Sequence, residues 1–201
     1  MIEINNYILI LLFFLSIKDI AIIHFRKKIS YKLNILDFPN ERKIHSEPTP
    51  LIGGICIFTT LIILFIFQIY ENVFVLKKLI ITNLFFLIFF LTGFADDKSH
   101  LSPKIRTIII LSSILILLNF EKSFLITELN FISTSRIVTL DYISLIFTIF
   151  CIFALYNAFN FIDGVNGAAT SIILFWIFFL ITKKFNYIYL SLLITFLIIF
   201  V

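Results

Sequence analysis

Charge is scarce in this chain. Asp, Glu, Lys and Arg make up 14% of its residues, against about 25% in an ordinary soluble domain. The shortage leaves a hydrophobic fraction of 61% and a mean hydropathy of +1.10, and the excess falls in long blocks. A soluble fold has no use for several uninterrupted apolar runs of membrane-crossing length, and disorder is excluded on the same ground. Cysteine is nearly absent too. Cys56 and Cys151 each sit inside an apolar run, where a small buried thiol is expected and a disulfide or metal pair is not. No basic segment precedes the first apolar run, which begins after the acidic Glu3, so a retained first helix is expected rather than a cleaved signal. Polar residues near the middle of the runs are few, and Gln68 lies toward an end, which speaks against a channel or transporter. The formal charge of +4 implies no nucleic-acid partner, because the basic residues cluster beside membrane segments, where they fix orientation.

What is abundant is Ile and Phe. The 27 Phe residues match a drift toward AT-rich codons, and most are expected to face lipid. A spanning helix needs about 20 apolar residues, and candidates lie near 4–23, 51–70, 79–95, 105–120, 142–159, 167–182 and 186–201. The expected fold is all-α: one integral membrane domain over residues 1–201, a polytopic transmembrane helical bundle of about seven spans. The loops after spans one, three and five then share one side. They carry Arg26, Lys27, Lys28, Lys32, Arg42, Lys43, Lys98, Lys104 and Arg106, against Lys77, Lys78, Lys122, Arg136, Lys183 and Lys184 opposite. Nine against six places that side in the cytoplasm. The last run reaches Val201 without a polar cap, the pattern expected of the N-terminal part of a longer domain.

Three polar stretches fall on that one side. In the loop from Gly93 to Arg106, Asp96 and Asp97 stand where a span leaves the membrane. Neighbouring carboxylates repel, so a cation or basic groups keep them ionised, and such hard oxygen ligands suit Mg²⁺ bound to a diphosphate. Asn157, Asn160, Asp163 and Asn166 are spaced by three, which on a helix gives one face. Amides there can read a pyrimidine edge, and a carboxylate can accept sugar or base hydrogens. Gly164 and Gly167 allow close approach to the backbone. The stretch from Asp37 to Gly54 holds three of the four prolines and reads as an ordered loop. In it Arg42 and Lys43 could hold phosphate oxygens, the first as a fork and the second as a point charge, or could anchor at headgroups.

Clustered aspartates also occur in prenyl-chain synthases, but those need a further Asp shortly after, where this chain has Lys98, Ser99 and His100. An Asp-Gly element in a membrane helix also occurs in phosphatidyl-alcohol transferases, but the spaced aspartates that should follow Asp163 are missing. Taken in order, Asp37-x-Pro39-x-x-Arg42-Lys43-x-His45-x-x-Pro48-x-Pro50-x-x-Gly53-Gly54, Gly93-x-x-Asp96-Asp97 and Asn157-x-x-Asn160-Phe-Ile-Asp163-Gly164-x-Asn166-Gly167 resemble the polyprenyl-phosphate N-acetylhexosamine-1-phosphate transferases, glycosyltransferase family 4. The three motifs cover residues 35 to 170.

The resemblance implies a Mg²⁺-dependent bacterial inner-membrane enzyme with its active-site loops in the cytoplasm. Such an enzyme joins a UDP-sugar, UDP-N-acetylglucosamine above all, to undecaprenyl phosphate and releases UMP. The product would start a cell-wall or surface-polysaccharide lipid intermediate. By position, Asp96 and Asp97 match the catalytic acidic pair, and Asn160 matches an amide that coordinates Mg²⁺. Asp163 and Asn166 match the uridine pocket, with Asn166 in place of the commoner Asp. Arg42, Lys43, His45 and Thr49 match the substrate-binding first loop. A homodimer is compatible with this assignment. Family members continue into a Gly-Asp motif, which supplies another Mg²⁺ ligand, and a His-rich loop. Their absence before Val201 leads to the expectation that residues 1–201 alone are weak or inactive. The alternative expectation is a catalytically inactive truncated homologue that binds lipid carrier or partner proteins.

Overall fold

The computed structural model describes residues 6–39, 47–71, 76–131, 136–162, 168–183 and 187–200. Each expected apolar run contains a helix, with ends shifted by a few residues: α1 (Asn6–His24), α3 (Gly53–Tyr70), α4 (Leu76–Ser99), α5 (Pro103–Phe120), α6 (Ser144–Ile162), α7 (Ala168–Lys183) and α8 (Tyr187–Phe200). An eighth helix, α2 (Arg26–Leu33), follows α1. Ile, Phe and Thr favour strands in water, but lipid offers the backbone no partners, so each segment satisfies its own N–H and C=O groups as a helix. Five of these segments are long and apolar enough to cross a membrane. The other two, α7 and α8, are shorter apolar helices, spanning about 24 and 21 Å at 1.5 Å per residue.

Exposed side chains confirm a bundle built for lipid. Phe13, Phe14, Ile146, Phe150 and Phe178 each expose more than half their surface, which in water would be an aggregation hazard. Polar groups inside the spans turn back on their own helices: Ser16, Thr92, Asn119 and Asn157 donate to the carbonyls of Leu12, Ile88, Leu115 and Phe153.

Two cores hold the bundle. Leu11, Leu15 and Leu64 join α1 to α3, with Ile188 of α8 packed against them. Ile110, Ile114 and Leu118, one face of α5 at steps of four, receive Phe85 and Phe89 of α4 and Ile149, Ile152, Phe153 and Tyr156 of α6. Phe58 and Phe90, stacked at 4.0 Å, tie α3 to α4 between the cores.

The loops hold more structure than the apolar pattern implies. Residues 24–50, read as a loop, contain α2 and a two-stranded ladder of β1 (Leu36–Asp37) and β2 (Thr49–Pro50), pairing Asp37 with Thr49. On the opposite face, β3 (Glu128–Phe131) and β4 (Arg136–Thr139) pair antiparallel between α5 and α6. The hairpin is fastened by Ser144 Oγ donating to Ile126 O (2.7 Å) and Ile126 N donating to Thr148 Oγ1 (2.9 Å).

On that same face Lys78 donates to Ser123 Oγ at 2.8 Å and lies over the Phe124 ring. The Ser123 hydroxyl holds the Glu121 carboxyl below its usual pKa, helped by the Ser123 amide and by Lys78 and Lys77. A carboxyl depressed by folding stabilises above its unfolded pKa and stops doing so as pH falls through the lower, folded value. Glu121→Gln should therefore abolish a small acid-side loosening of the end of α5, read by hydrogen exchange across residues 117–125.

The polar content of the spans is a correction to the sequence reading. Lys18 and Asp19 sit within α1, and the Asp19 side chain is wholly buried. Lys18 Nζ lies 2.6 Å from Asp19 Oδ1, neither carboxylate oxygen accepts an N–H or O–H hydrogen bond, and the Cys56 thiol lies beside the carboxylate. The ammonium donates instead to Cys56 O (3.1 Å), Thr59 Oγ1 (3.1 Å) and Thr60 Oγ1 (2.7 Å) of α3. Thr60 Oγ1 in turn meets Thr195 Oγ1 of α8 at 3.0 Å. One buried network thus ties three helices together.

Candidate functional site

The longest helix carries the acids. From Lys78 to Asp96, α4 rises about 27 Å, close to the roughly 30 Å of hydrocarbon in a bilayer. The charges of α4 therefore fall in two groups, Lys77 and Lys78 at one end and Asp96, Asp97 and Lys98 at the other, about a hydrocarbon thickness apart. The sequence reading put Asp96 and Asp97 in a loop. They lie instead in the last turns of α4, which continues to Ser99 because a helix does not need to stop where the lipid does. It ends at His100, whose backbone turns left-handed (φ 48°) while its N–H still reaches Asp96 O at 2.8 Å. Ser102 then caps α5, accepting from Ile105 N, with Pro103 at the first helical position.

That short turn brings α5 back beside the end of α4. Arg106 Nη1 donates to Asp96 Oδ2 at 2.6 Å, with both side chains about one quarter exposed. Asp96, Asp97, Arg106 and Asn160 together rim a cavity of about 530 Å³ between α4, α5, α6 and the start of α7. Below the rim the wall is apolar: Phe85, Phe89, Ile152, Leu155, Tyr156, Phe159 and Ile173. Phe89 and Tyr156 meet edge to face, ring centres 5.8 Å apart, and this pair braces α4 against α6. Gly93 opens onto the cavity, and a Cβ built there meets nothing within 4 Å.

The structure thus brings Asn160 to the same cavity as Asp96 and Asp97, which precede it by more than sixty residues. Asn157, expected on one face with Asn160, turns back to Phe153 O at 2.9 Å and does not line the cavity. Thr49 stands elsewhere, on β2, in a separate cleft with Arg26, Lys27, Glu47 and Gly53. Arg42, Lys43, His45, Asp163 and Asn166 lie outside the described residues. Phe85, Phe89, Leu155, Tyr156 and Phe159 were not expected, although the first two precede Gly93 and the acids at helical steps of four. That stripe becomes visible once the acids are read as helical.

Membrane-length helices around a cavity lined by two acids, an arginine and an amide define a polytopic membrane protein with a polar site at one end of its bundle. The family model for glycosyl transferase family 4 matches residues 79–201, more than half of the chain and all of the cavity-lining residues. The chain belongs to glycosyl transferase family 4. At the level of the family this means transfer of a sugar phosphate to a polyprenyl phosphate in a membrane. No curated protein and no solved structure matches the chain.

Proposed function

We propose that the chain transfers N-acetylglucosamine 1-phosphate from UDP-N-acetylglucosamine to undecaprenyl phosphate, releasing UMP and starting a surface-polysaccharide lipid intermediate. The face bearing Asp96 would be cytoplasmic in a bacterial inner membrane. The observation that carries this reading is the two-part cavity. A polar rim of two carboxylates, a guanidinium and an amide sits on an aromatic and aliphatic wall. A polyprenyl phosphate has the matching chemistry, with its phosphate at the rim and its first isoprene units along Phe85, Phe89 and Tyr156.

The reaction is an attack by a lipid phosphate oxygen on the phosphorus that bears the sugar. One P–O bond forms, the bond from that phosphorus to the bridging oxygen breaks, and UMP leaves with that oxygen. Both reactants are anions, so charge neutralisation and alignment are what a protein can supply. Arg106 offers a fork to phosphate oxygens while Asp96 fixes its orientation. Asp97 and Asn160 present hard oxygen atoms to the same cavity, which suits Mg²⁺. Among the described residues no three His, Cys, Asp or Glu side chains cluster closely enough to cage a cation. A Mg²⁺ ion there would share its coordination with the diphosphate, as Mg²⁺ sites commonly do, and would offset the charge developing on the leaving UMP.

Incubating membranes that carry the full-length protein with labelled UDP-N-acetylglucosamine and undecaprenyl phosphate tests the reading. A solvent-extractable sugar-phospholipid that fails to form in EDTA and returns with Mg²⁺ is expected; formation unaffected by EDTA would remove the metal from the account. A narrower test uses Gly93. Gly93→Leu should place its side chain in the cavity and cut transfer by about tenfold or more. Gly93→Ala should leave transfer near normal and stabilise α4 by about 0.5–1 kcal/mol.

A further inference from the structure

A second amphiphilic surface lies at the seam of α1 and α8, on the same side of the bundle as the acids. Ile20 and Ile23 of α1 and Leu197 and Ile198 of α8 line an open groove of about 520 Å³ that runs to Arg26. Arg26 also borders an adjoining cleft of about 450 Å³ with Lys27, Glu47 and Thr49. Ile23, Arg26 and Ile198 line both, so the apolar groove and the cleft, with two cations to one carboxylate, form one continuous surface. The walls are held in register by the Lys18, Thr60 and Thr195 network behind them.

We propose that this seam binds one anionic diacyl phospholipid, with an acyl chain along Ile20, Ile23, Leu197 and Ile198 and the phosphate on Arg26 and Lys27. Three observations support that occupant. Arg26 follows the end of α1 at His24 by two residues, so its guanidinium lies where a headgroup phosphate lies, and its fork matches phosphate oxygens. The helix that begins there carries Arg26, Lys27, Lys28 and Lys32 and no acid, a local excess of positive charge beside a membrane surface. The groove itself is apolar, with Ile20 58% and Leu197 47% exposed among the described residues.

The position also selects between lipids. The groove and cleft share no lining residue with the cavity of Asp96, Asp97 and Asn160, so a phosphate on Arg26 occupies a surface of its own. The site therefore suits a resident membrane lipid rather than the lipid acceptor of the transfer. The inference is independent of the proposed activity.

The test is lipid binding by the purified full-length protein in neutral detergent, read by native mass spectrometry and by the thermal unfolding midpoint. The probes are phosphatidylglycerol, phosphatidylcholine with the same chains, undecaprenyl phosphate and inorganic phosphate. About one phosphatidylglycerol per chain should be retained and should raise the midpoint, while phosphatidylcholine should do neither. Arg26→Ala combined with Lys27→Ala should weaken retention by about tenfold, the loss of two charge-assisted contacts. Leu197→Trp, which fills the exposed groove, should weaken it comparably. Lys28→Ala with Lys32→Ala, on the same basic helix but off the groove, should change it by less than about twofold, since diffuse attraction to nearby charge is screened. Four results would each overturn the proposal: equal retention of the two phospholipids, equal loss in the two double variants, full protection by inorganic phosphate, or retention of undecaprenyl phosphate with none of phosphatidylglycerol.

Discussion

Asp97→Asn should lower sugar-phosphate transfer by about a hundredfold or more, the usual scale for removing a group that handles charge at the reacting centre. Fold and membrane insertion should be unaffected, because Asp97 is exposed on the last turns of α4, beyond the buried contacts of that helix. Asp96 should behave differently. Its carboxylate lies 2.6 Å from Arg106, so the two side chains act as one unit that sets the guanidinium at the rim of the cavity. Asp96→Asn and Arg106→Gln should each reduce transfer, and the double variant should be little worse than the poorer single one. Asp97→Asn should instead add to either loss. Strict additivity between Asp96 and Arg106 would show that their contact carries no functional weight.

The second large effect concerns stability. Lys18→Met should cost about 3–5 kcal/mol, because it leaves the fully buried Asp19 carboxylate with no cation and only the Cys56 thiol beside it. Asp19→Leu should cost less, since Lys18 keeps Cys56 O, Thr59 Oγ1 and Thr60 Oγ1 as acceptors. The double variant should recover much of the loss seen in Lys18→Met, as removing both charges strands neither. Unfolding in mixed micelles followed by circular dichroism ranks the three. A double variant as unstable as Lys18→Met would mean that Lys18 acts through its hydrogen bonds to α3 and not by compensating Asp19.

The helices were legible because each is written in about twenty apolar residues, and lipid leaves such a segment no other fold. Their ends were not. An apolar run measures the thickness of hydrocarbon, whereas α4 continues past it to Ser99, so Asp96 and Asp97 were read one element too late. The cavity wall was hidden by composition: among 27 Phe residues, Phe85 and Phe89 are marked only by their four-residue spacing to Gly93 and Asp97, and nothing local marks Phe159. Arg106 stood in the sequence as one of nine basic residues on one side, and its pairing with Asp96 depends on the turn closed by His100 and Ser102. The Lys18 network escaped because averaging hydropathy over a span dilutes two charges, and its partner Thr195 lies 135 residues beyond Thr60. The hairpin of β3 and β4 escaped because four-residue strands between long helices leave little pattern.

The most direct test of the account uses UDP-N-acetylglucosamine labelled with ³²P at the phosphorus nearest the sugar, with undecaprenyl phosphate as acceptor and the full-length protein as catalyst. Transfer of a sugar phosphate requires the radioactive phosphorus to enter the lipid together with the sugar while unlabelled UMP is released, and requires Asp97→Asn to stop both. Sugar reaching the lipid without the label, or label transfer undiminished in Asp97→Asn, would contradict it.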